Sequence, residues 1–358
     1  MIDIFNNWFK RHFSDPQVVF LVVFLVLSFG IVISFNDTLT PLFSAIVIAY
    51  LLEGIVAILN RFIKHRLVSV IIVFVGFLAA LMITFFVITP LLWDQITDLI
   101  KDTPKYIEQG RQLLLRLPQN YSFISEQSIT AVISQIQSEV TSMGKSVLTF
   151  SLNSIQGSIT VMIYLILAPL LVFFFLKDKQ PILDWFLNFF PENTQLSTQV
   201  WKEMDQQIGN YVRGKFWEIT IISSICFTTF TFLGLKYSLL ISLLVGLSVV
   251  VPYVGATLVT IPVALIAFFQ WGWTTDFAWL MFAYGIIQAL DGNVIVPLLF
   301  SEVVNLHPVA IIVAILFFGG LWGFWGIFFA IPLGTLVNSV IRAWPSAHGE
   351  EELIIAES

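Results

Sequence analysis

The chain has 358 residues, of which 58% are hydrophobic and 11% charged, with a formal net charge of −6 and a mean hydropathy of +0.90. A soluble domain carries roughly 45–50% apolar and roughly 25% charged residues, so there is too little polar surface here to cover a water-soluble globule. High hydrophobicity excludes extended disorder, the single cysteine, Cys226, excludes a disulfide framework, and the acidic balance argues against nucleic acid as a partner. What remains is an all-α, polytopic integral membrane protein whose first partner is the lipid bilayer.

In chain order, Phe5, Trp8, Phe9 and Phe13 recur at helical spacing beside Lys10, Arg11 and His12, which predicts a helix lying at the membrane interface. Four apolar runs follow: Gln17–Phe35, Leu39–Leu59, Leu67–Pro90 and Gln156–Leu176. Each is about 19–24 residues, enough to cross a hydrocarbon core of roughly 30 Å. The first run lacks a small-x-small cleavage site and reads as a retained span rather than a signal peptide. Short loops set the orientation. Lys10 and Arg11, then Arg61, Lys64 and Arg66, then Lys177 and Lys179, and finally Arg342 place these segments and both termini in the cytoplasm.

The domain organisation follows. Residues 1–90 hold the interfacial helix and three transmembrane helices. Residues 91–155 form an external helical insertion that Pro104 and Pro118 divide into pieces. Within it Ile129, Ile133, Ile136, Val140, Met143 and Val147 make a heptad seam, which reads either as packing on a neighbouring helix or as a subunit contact. Residues 156–176 are the fourth span. Residues 177–215 carry a cytoplasmic amphipathic helix, with Leu196, Val200, Met204, Ile208 and Val212 every four residues, expected to turn towards the membrane near Gly209 and Gly214. Residues 216–345 form a core of broken helices, and residues 346–358 an acidic tail. The total is about 6–8 transmembrane helices plus re-entrant hairpins.

Only five ionisable side chains occur between Ile219 and Ile341: Lys236, Asp276, Asp291, Glu302 and His307. Leu239–Val251 and Ala256–Gln270 are arms too short for a full crossing, joined by Pro252-Tyr253-Val254-Gly255, and read as a hairpin that dips in and returns. A second pair of arms meets at Gly319-Gly320. Lys236 to Pro262 and His307 to Pro332 are nearly equal intervals, which suggests an inverted-topology repeat as found in secondary transporters. Phe277–Phe300 is a long run interrupted at Asp291-Gly292-Asn293, with Pro297 beyond.

An ionisable group at membrane depth costs at least about 2.5–3.5 kcal/mol on insertion scales and so carries a partner or a task. Asp291 leads the candidate path residues, either binding a solute or capping a broken helix. Asn293, Pro297, Glu302, Asn305 and His307 accompany it as a polar mouth or as interfacial loop residues. Pro252, Tyr253, Gly255, Gly319 and Gly320 are the candidate hairpin tips. Glu53 reads as a snorkelling carboxylate, and Arg213 beside Gly214 as a positive-inside anchor. The chain has no G-x-x-x-x-G-K-[ST], H-E-x-x-H or G-x-S-x-G sequence and no Cys/His cluster, so no enzyme, cofactor or metal site is expected.

The stretch Asp291-Gly292-Asn293-Val294-Ile295-Val296-Pro297 through His307-Pro308, then Phe317-Phe318-Gly319-Gly320-Leu321-Trp322-Gly323 and Ala330-Ile331-Pro332, resembles the signature of the autoinducer-2 exporter family, close to its PerM-type permeases. Ala49-Tyr50-Leu51-Leu52, Tyr211-Val212-Arg213-Gly214 and Val251-Pro252-Tyr253-Val254-Gly255 also resemble the family pattern, from which Glu53 departs. The resemblance implies a bacterial inner-membrane transporter. It implies autoinducer-2 export for some members and sodium- or lithium-proton antiport for others. It also implies a homo-oligomer, with a pentamer among the assemblies. The expected function is secondary export of a small polar solute through the segments between Pro252 and Pro308. The alternatives are a monovalent cation/proton antiporter and a non-transporting membrane scaffold.

Overall fold

A computed structural model describes residues 36–115, 155–187, 195–300 and 306–343, with single positions among 23–35 and 127–142. The interfacial helix, most of the first apolar run, Pro118, most of the heptad seam, Glu302, Asn305 and the acidic tail lie outside the described residues. Of the seam, Ile133 is described, and it is buried. Every regular element among the described residues is helical.

The second apolar run forms α1 (Asn36–Leu59). The third forms α2 (Arg66–Ile83), which passes through a π-helical turn at Thr84–Ile88 directly into α3 (Thr89–Leu114). The Thr84 hydroxyl donates to the carbonyl of Ala80 at 3.0 Å and that of Thr89 to the carbonyl of Thr84 at 3.1 Å, which satisfies carbonyls displaced by the wider turn. Pro90 follows directly on the π-turn, a local widening of the helix of the kind that accommodates a residue with no N–H to donate. The expected boundary at residue 90 therefore falls inside one unbroken helix. At 1.5 Å per residue this 49-residue helix is about 74 Å long, more than twice the hydrocarbon core, so its charged half from Asp94 onward lies beyond the bilayer. Pro104 does not divide the insertion as expected; it is exposed within α3, where water can solvate the carbonyl that its ring leaves unbonded.

The fourth run forms α4 (Ile155–Lys177), followed by α5 (Lys179–Leu187). Next comes α6 (Gln195–Phe232), a single helix of 38 residues. The expected turn at Gly209 and Gly214 is absent. Both glycines are covered by side chains, Gly209 by Arg213 and Tyr50 and Gly214 by Phe300, so they serve close packing instead of bending. Two arms follow, α7 (Ser238–Ser248) and α8 (Val254–Trp271). Then α9 (Thr275–Leu290) runs through a second π-turn, Asp291–Ile295, into α10 (Val296–Phe300). The chain ends, among the described residues, with α11 (Pro308–Phe328) and α12 (Ala330–Ala343). Five helical stretches are long and apolar enough to cross a membrane, and shorter apolar helices accompany them. The protein is thus an all-α, multi-pass membrane protein.

The chain divides into two compact units. One gathers the described residues up to Val70, Leu170–Phe216 and those from Leu298 onward; the other holds the described residues within Ile71–Pro169 and Trp217–Pro297. The core of the second unit is built from helical seams: Ile222, Cys226 and Phe230 on α6, Ile241 and Val245 on α7, Val259, Val263 and Ile266 on α8, and Leu280, Tyr284 and Ile287 on α9. Lipid tails are as apolar as these side chains, so burial alone does not hold such helices together, and close backbone approach matters more. Gly246 supplies it for α6 and α7: a Cβ there would lie 1.8 Å from the Ser223 hydroxyl and 2.9 Å from the Ile219 carbonyl.

Candidate functional site

Asp291 begins the second π-turn and is only 8% exposed. It continues the buried stripe of α9, since Leu280, Tyr284, Ile287 and Asp291 recur at intervals of four, three and four. The helix is not broken here, contrary to the sequence expectation. The π-turn adds a residue to the turn without ending the helix, and Asn293 donates from Nδ2 to the Ala289 carbonyl at 2.8 Å to satisfy the displaced acceptor. Asn293, Gly292 and Pro297 are exposed, while Asp291 is buried and Ile295 packs against the core of the second unit.

Around Asp291 a polar thread runs through the apolar core. Its carboxylate lies within electrostatic reach of Cys226 on α6, and Cys226 within reach of Tyr284. Tyr284 shares a 3.1 Å hydrogen bond with Thr260 on α8. Two further polar atoms near this thread in sequence, Ser223 Oγ and Gln288 Nε2, are buried and meet no hydrogen-bond partner among the described residues. Charge and hydrogen-bonding groups on three helices thus converge where the sequence alone offers one aspartate.

The two hairpins share a plan. In the second unit, α7 has 11 residues, about 16 Å, half of a bilayer core. Its tip is Tyr253, at φ 64°, a left-handed conformation that costs a residue with a Cβ of order 1–3 kcal/mol. Gly255 then packs so tightly that a Cβ there would stand 1.7 Å from the Ser248 carbonyl oxygen. In the first unit the turn does not fall at Gly319-Gly320, which lie inside the first arm of α11. It falls at Gly323, with φ 58° and ψ −134°, and a Cβ on Gly326 would stand 1.9 Å from the Phe318 carbonyl. Gly319 and Gly320 can remain helical; Gly323 takes a conformation that excludes most other residues. Tyr237 to Tyr253 and His307 to Gly323 are each 16 residues, and Tyr253 to Pro262 and Gly323 to Pro332 are each 9. His307 itself is exposed and caps α11, its Nδ1 accepting from the Val309 N–H at 3.3 Å.

The base of the α7–α8 hairpin is strapped to α3 beyond the bilayer. Asp102 accepts from the Tyr237 hydroxyl at 2.6 Å and from Lys236 Nζ at 3.2 Å. Gln95 accepts the Leu240 N–H at 2.9 Å, and Gln270 bridges the Lys236 N–H and the Gly234 carbonyl at 2.8 Å each. These partners are up to 145 residues apart, and no sequence signal joins them. The hydrogen bonds from Tyr237, first, and from Lys236 hold the Asp102 carboxyl below the usual carboxylate range. A depressed carboxylate contributes stability above its unfolded-state range and loses it as pH falls through its folded value. Asp102→Asn should therefore speed amide exchange at Leu240 at neutral pH, and the difference from the parent chain should fade as pH falls through the depressed range of the Asp102 carboxyl. Equal exchange rates at neutral pH would show that the strap does not hold the hairpin.

In the first unit Glu53 is paired. It is held by Arg66 in a two-pronged pair at 3.1 and 3.0 Å and by Lys179 at 3.7 Å, while Arg66 also donates to the Leu176 carbonyl at 3.1 Å. One turn earlier, the Tyr50 hydroxyl donates to Asp205 at 2.5 Å. Arg213 is not a simple anchor: it donates to Asn210 at 2.8 Å, and its stem and head pack over Gly54 and Gly209. Sequence reasoning passed over Lys215 and Glu218. Both are buried, at 4% and 2% exposure, with the Lys215 ammonium 5.1 Å above the Phe300 ring. Their signal was a Lys-x-x-Glu spacing at the point where the amphipathic stretch becomes apolar.

Helices long enough to cross a bilayer, short-armed hairpins with left-handed tips and carboxylates buried in an apolar core define a polytopic helical membrane protein. The sequence profile described as "AI-2E family transporter" matches residues 18–346. The chain is 46% identical over 354 residues to "Putative permease PerM" of Escherichia coli (strain K12), covering 98% of this chain and 100% of that one. It is 25% identical over 351 residues to "Putative transport protein YueF" of Bacillus subtilis (strain 168), 92% of each chain, and 26% identical over 311 residues to "Putative transport protein YrrI" of the same organism, 83% and 84%. The chain belongs to the AI-2E family of membrane transporters.

Proposed function

We propose that the chain is a secondary transporter that exports a small polar solute across the bacterial inner membrane, with both termini in the cytoplasm and Asp291 as the group that binds the solute. The observation that carries this reading is the burial of the Asp291 carboxylate at a π-turn inside a helix long enough to span the bilayer. π-turns recur at functional sites because the extra residue re-aims side chains, and an intramembrane carboxylate is costly to keep without a task. The family's name points to autoinducer-2 as the solute. The equal spacings of the two hairpins support an inverted-topology repeat, whose tips would be the moving parts.

Proteoliposomes loaded with autoinducer-2 test the reading. The expected result is protein-dependent, saturable efflux of the solute. Sodium or proton flux driven by such a gradient, without solute movement, would replace it with antiport. No flux of either kind would favour a non-transporting scaffold.

A further inference from the structure

In the first unit, α1 and the start of α2 are joined by the six residues 60–65. Both helices are long and apolar enough to cross the membrane, so a link this short lies where the bilayer meets water. Its backbone is tied down, with the Arg61 and Phe62 N–H groups donating to the Ile58 and Leu59 carbonyls at 3.1 and 3.0 Å. Phe62 is 82% exposed. Arg61 and Lys64 flank it in sequence and are exposed, and neither side chain has an ion pair or hydrogen bond among the described residues. The neighbouring cations are engaged: Arg66 and Lys179 close on Glu53, and Lys177 lies 3.7 Å from Asp178. The Arg66 bond to the Leu176 carbonyl brings the end of α4 to the start of α2. Residues 53–66 and 177–185 together carry five lysines and arginines against three carboxylates, on a chain whose net charge is −6.

We infer that this turn is a docking surface for an anionic phospholipid, with Arg61 and Lys64 on the phosphate and Phe62 among the acyl chains. The two cations call for an anion, and the exposed ring calls for an apolar surrounding. An acidic protein segment or a soluble phosphate would answer the charges and leave the ring in water. A phospholipid answers both, and the turn already lies at the depth of its headgroup. The stems of Arg61 and Lys64 can run beside the acyl chains while their heads reach the phosphate. A zwitterionic headgroup carries its own ammonium and brings no net charge to the turn. A net anionic one gains about fivefold in affinity per cation, roughly 25-fold for the pair. Loop charge alone is enough to set the orientation of a span; the docking surface needs the ring as well. The inference is independent of the transport reading, because lipid binding is measured without flux.

The test uses the purified full chain in uncharged detergent micelles and follows bound lipid by native mass spectrometry. The probes are phosphatidylglycerol, phosphatidylcholine, glycerol phosphate and poly-L-glutamate. The expected result is saturable binding of phosphatidylglycerol, with phosphatidylcholine at least about tenfold weaker and neither soluble anion bound. Arg61→Gln combined with Lys64→Gln should weaken phosphatidylglycerol binding about 25-fold, and Phe62→Ser should weaken it severalfold. Lys101→Gln combined with Lys105→Gln, two exposed cations on α3, should leave it unchanged. Equal affinity for phosphatidylcholine would overturn the docking surface, as would undiminished phosphatidylglycerol binding in either the Arg61/Lys64 variant or Phe62→Ser. Binding of glycerol phosphate or poly-L-glutamate that the Arg61/Lys64 variant abolishes would replace the lipid with a soluble phosphate or an acidic protein.

Discussion

Gly255→Ala is expected to cause the largest loss of stability of any alanine placed at a described glycine. The new Cβ would stand 1.7 Å from the Ser248 carbonyl oxygen, where ordinary contact begins near 3.4 Å. The obstacle is backbone, so no side chain can swing away, and the two arms of the hairpin must part by well over an ångström. Overpacking of a close-fitted core costs typically 1–3 kcal/mol and occasionally more, and a backbone clash belongs at the upper end, about 3 kcal/mol or beyond. Gly326→Ala meets the same obstacle in the other hairpin, at 1.9 Å from the Phe318 carbonyl. Gly285→Ala is the contrast. It lies on an exposed face of α9 with nothing within 4 Å, so the better helix propensity of alanine should leave stability equal or slightly higher. Thermal unfolding of the purified full chain measures all three. A Gly255→Ala protein that unfolds at the parent temperature would show that the arms do not touch.

Asp291→Asn should weaken transport at low solute concentration and spare the fold. The amide has nearly the shape of the carboxylate, so the seam of Leu280, Tyr284 and Ile287 keeps its packing. The change removes the charge alone. A hydrogen bond to a charged group contributes about 1.5–3 kcal/mol and one to a neutral group about 0.5–1.5, so the exchange costs about 1–1.5 kcal/mol and a solute hydroxyl should bind roughly 5- to 13-fold more weakly to the amide. A neutral amide is cheaper than a carboxylate to bury at membrane depth, so the unfolding temperature should stay level or rise. The decisive measurement pairs efflux from proteoliposomes with thermal unfolding of the same preparation. Parent-like efflux would remove Asp291 from the mechanism. A lowered unfolding temperature would make it a structural residue.

The division between what sequence and structure each decide falls along physical lines. The bilayer fixes a length and a composition for every crossing, so the apolar runs at Leu39–Leu59, Leu67–Pro90 and Gln156–Leu176 were legible as spans, and α1, α2 and α4 follow them closely. The same logic singled out Asp291, because a charge in an apolar run is conspicuous in one dimension. Breaks in helices were less legible. Glycine and proline mark where a chain can turn, and packing decides where it does. Gly209 and Gly214 stay helical under Arg213 and Phe300, Gly319 and Gly320 lie within an arm, and the turn passes to Gly323. The Asp291 segment bends by a π-turn, which leaves no compositional trace beyond the residue that it buries.

Partners distant in the chain were not legible at all. Glu53 reads as a lone carboxylate until Arg66 and Lys179 close on it, and Asp102 as one charge among many until Tyr237 and Lys236 arrive from 135 and 134 residues away. By itself the sequence determined that this is a helical membrane protein, where its longest spans lie and that Asp291 stands inside one of them, because hydrophobicity and helix length act locally. Only the tertiary structure decided which polar groups meet and where the hairpins turn, because those depend on which helices come to lie side by side.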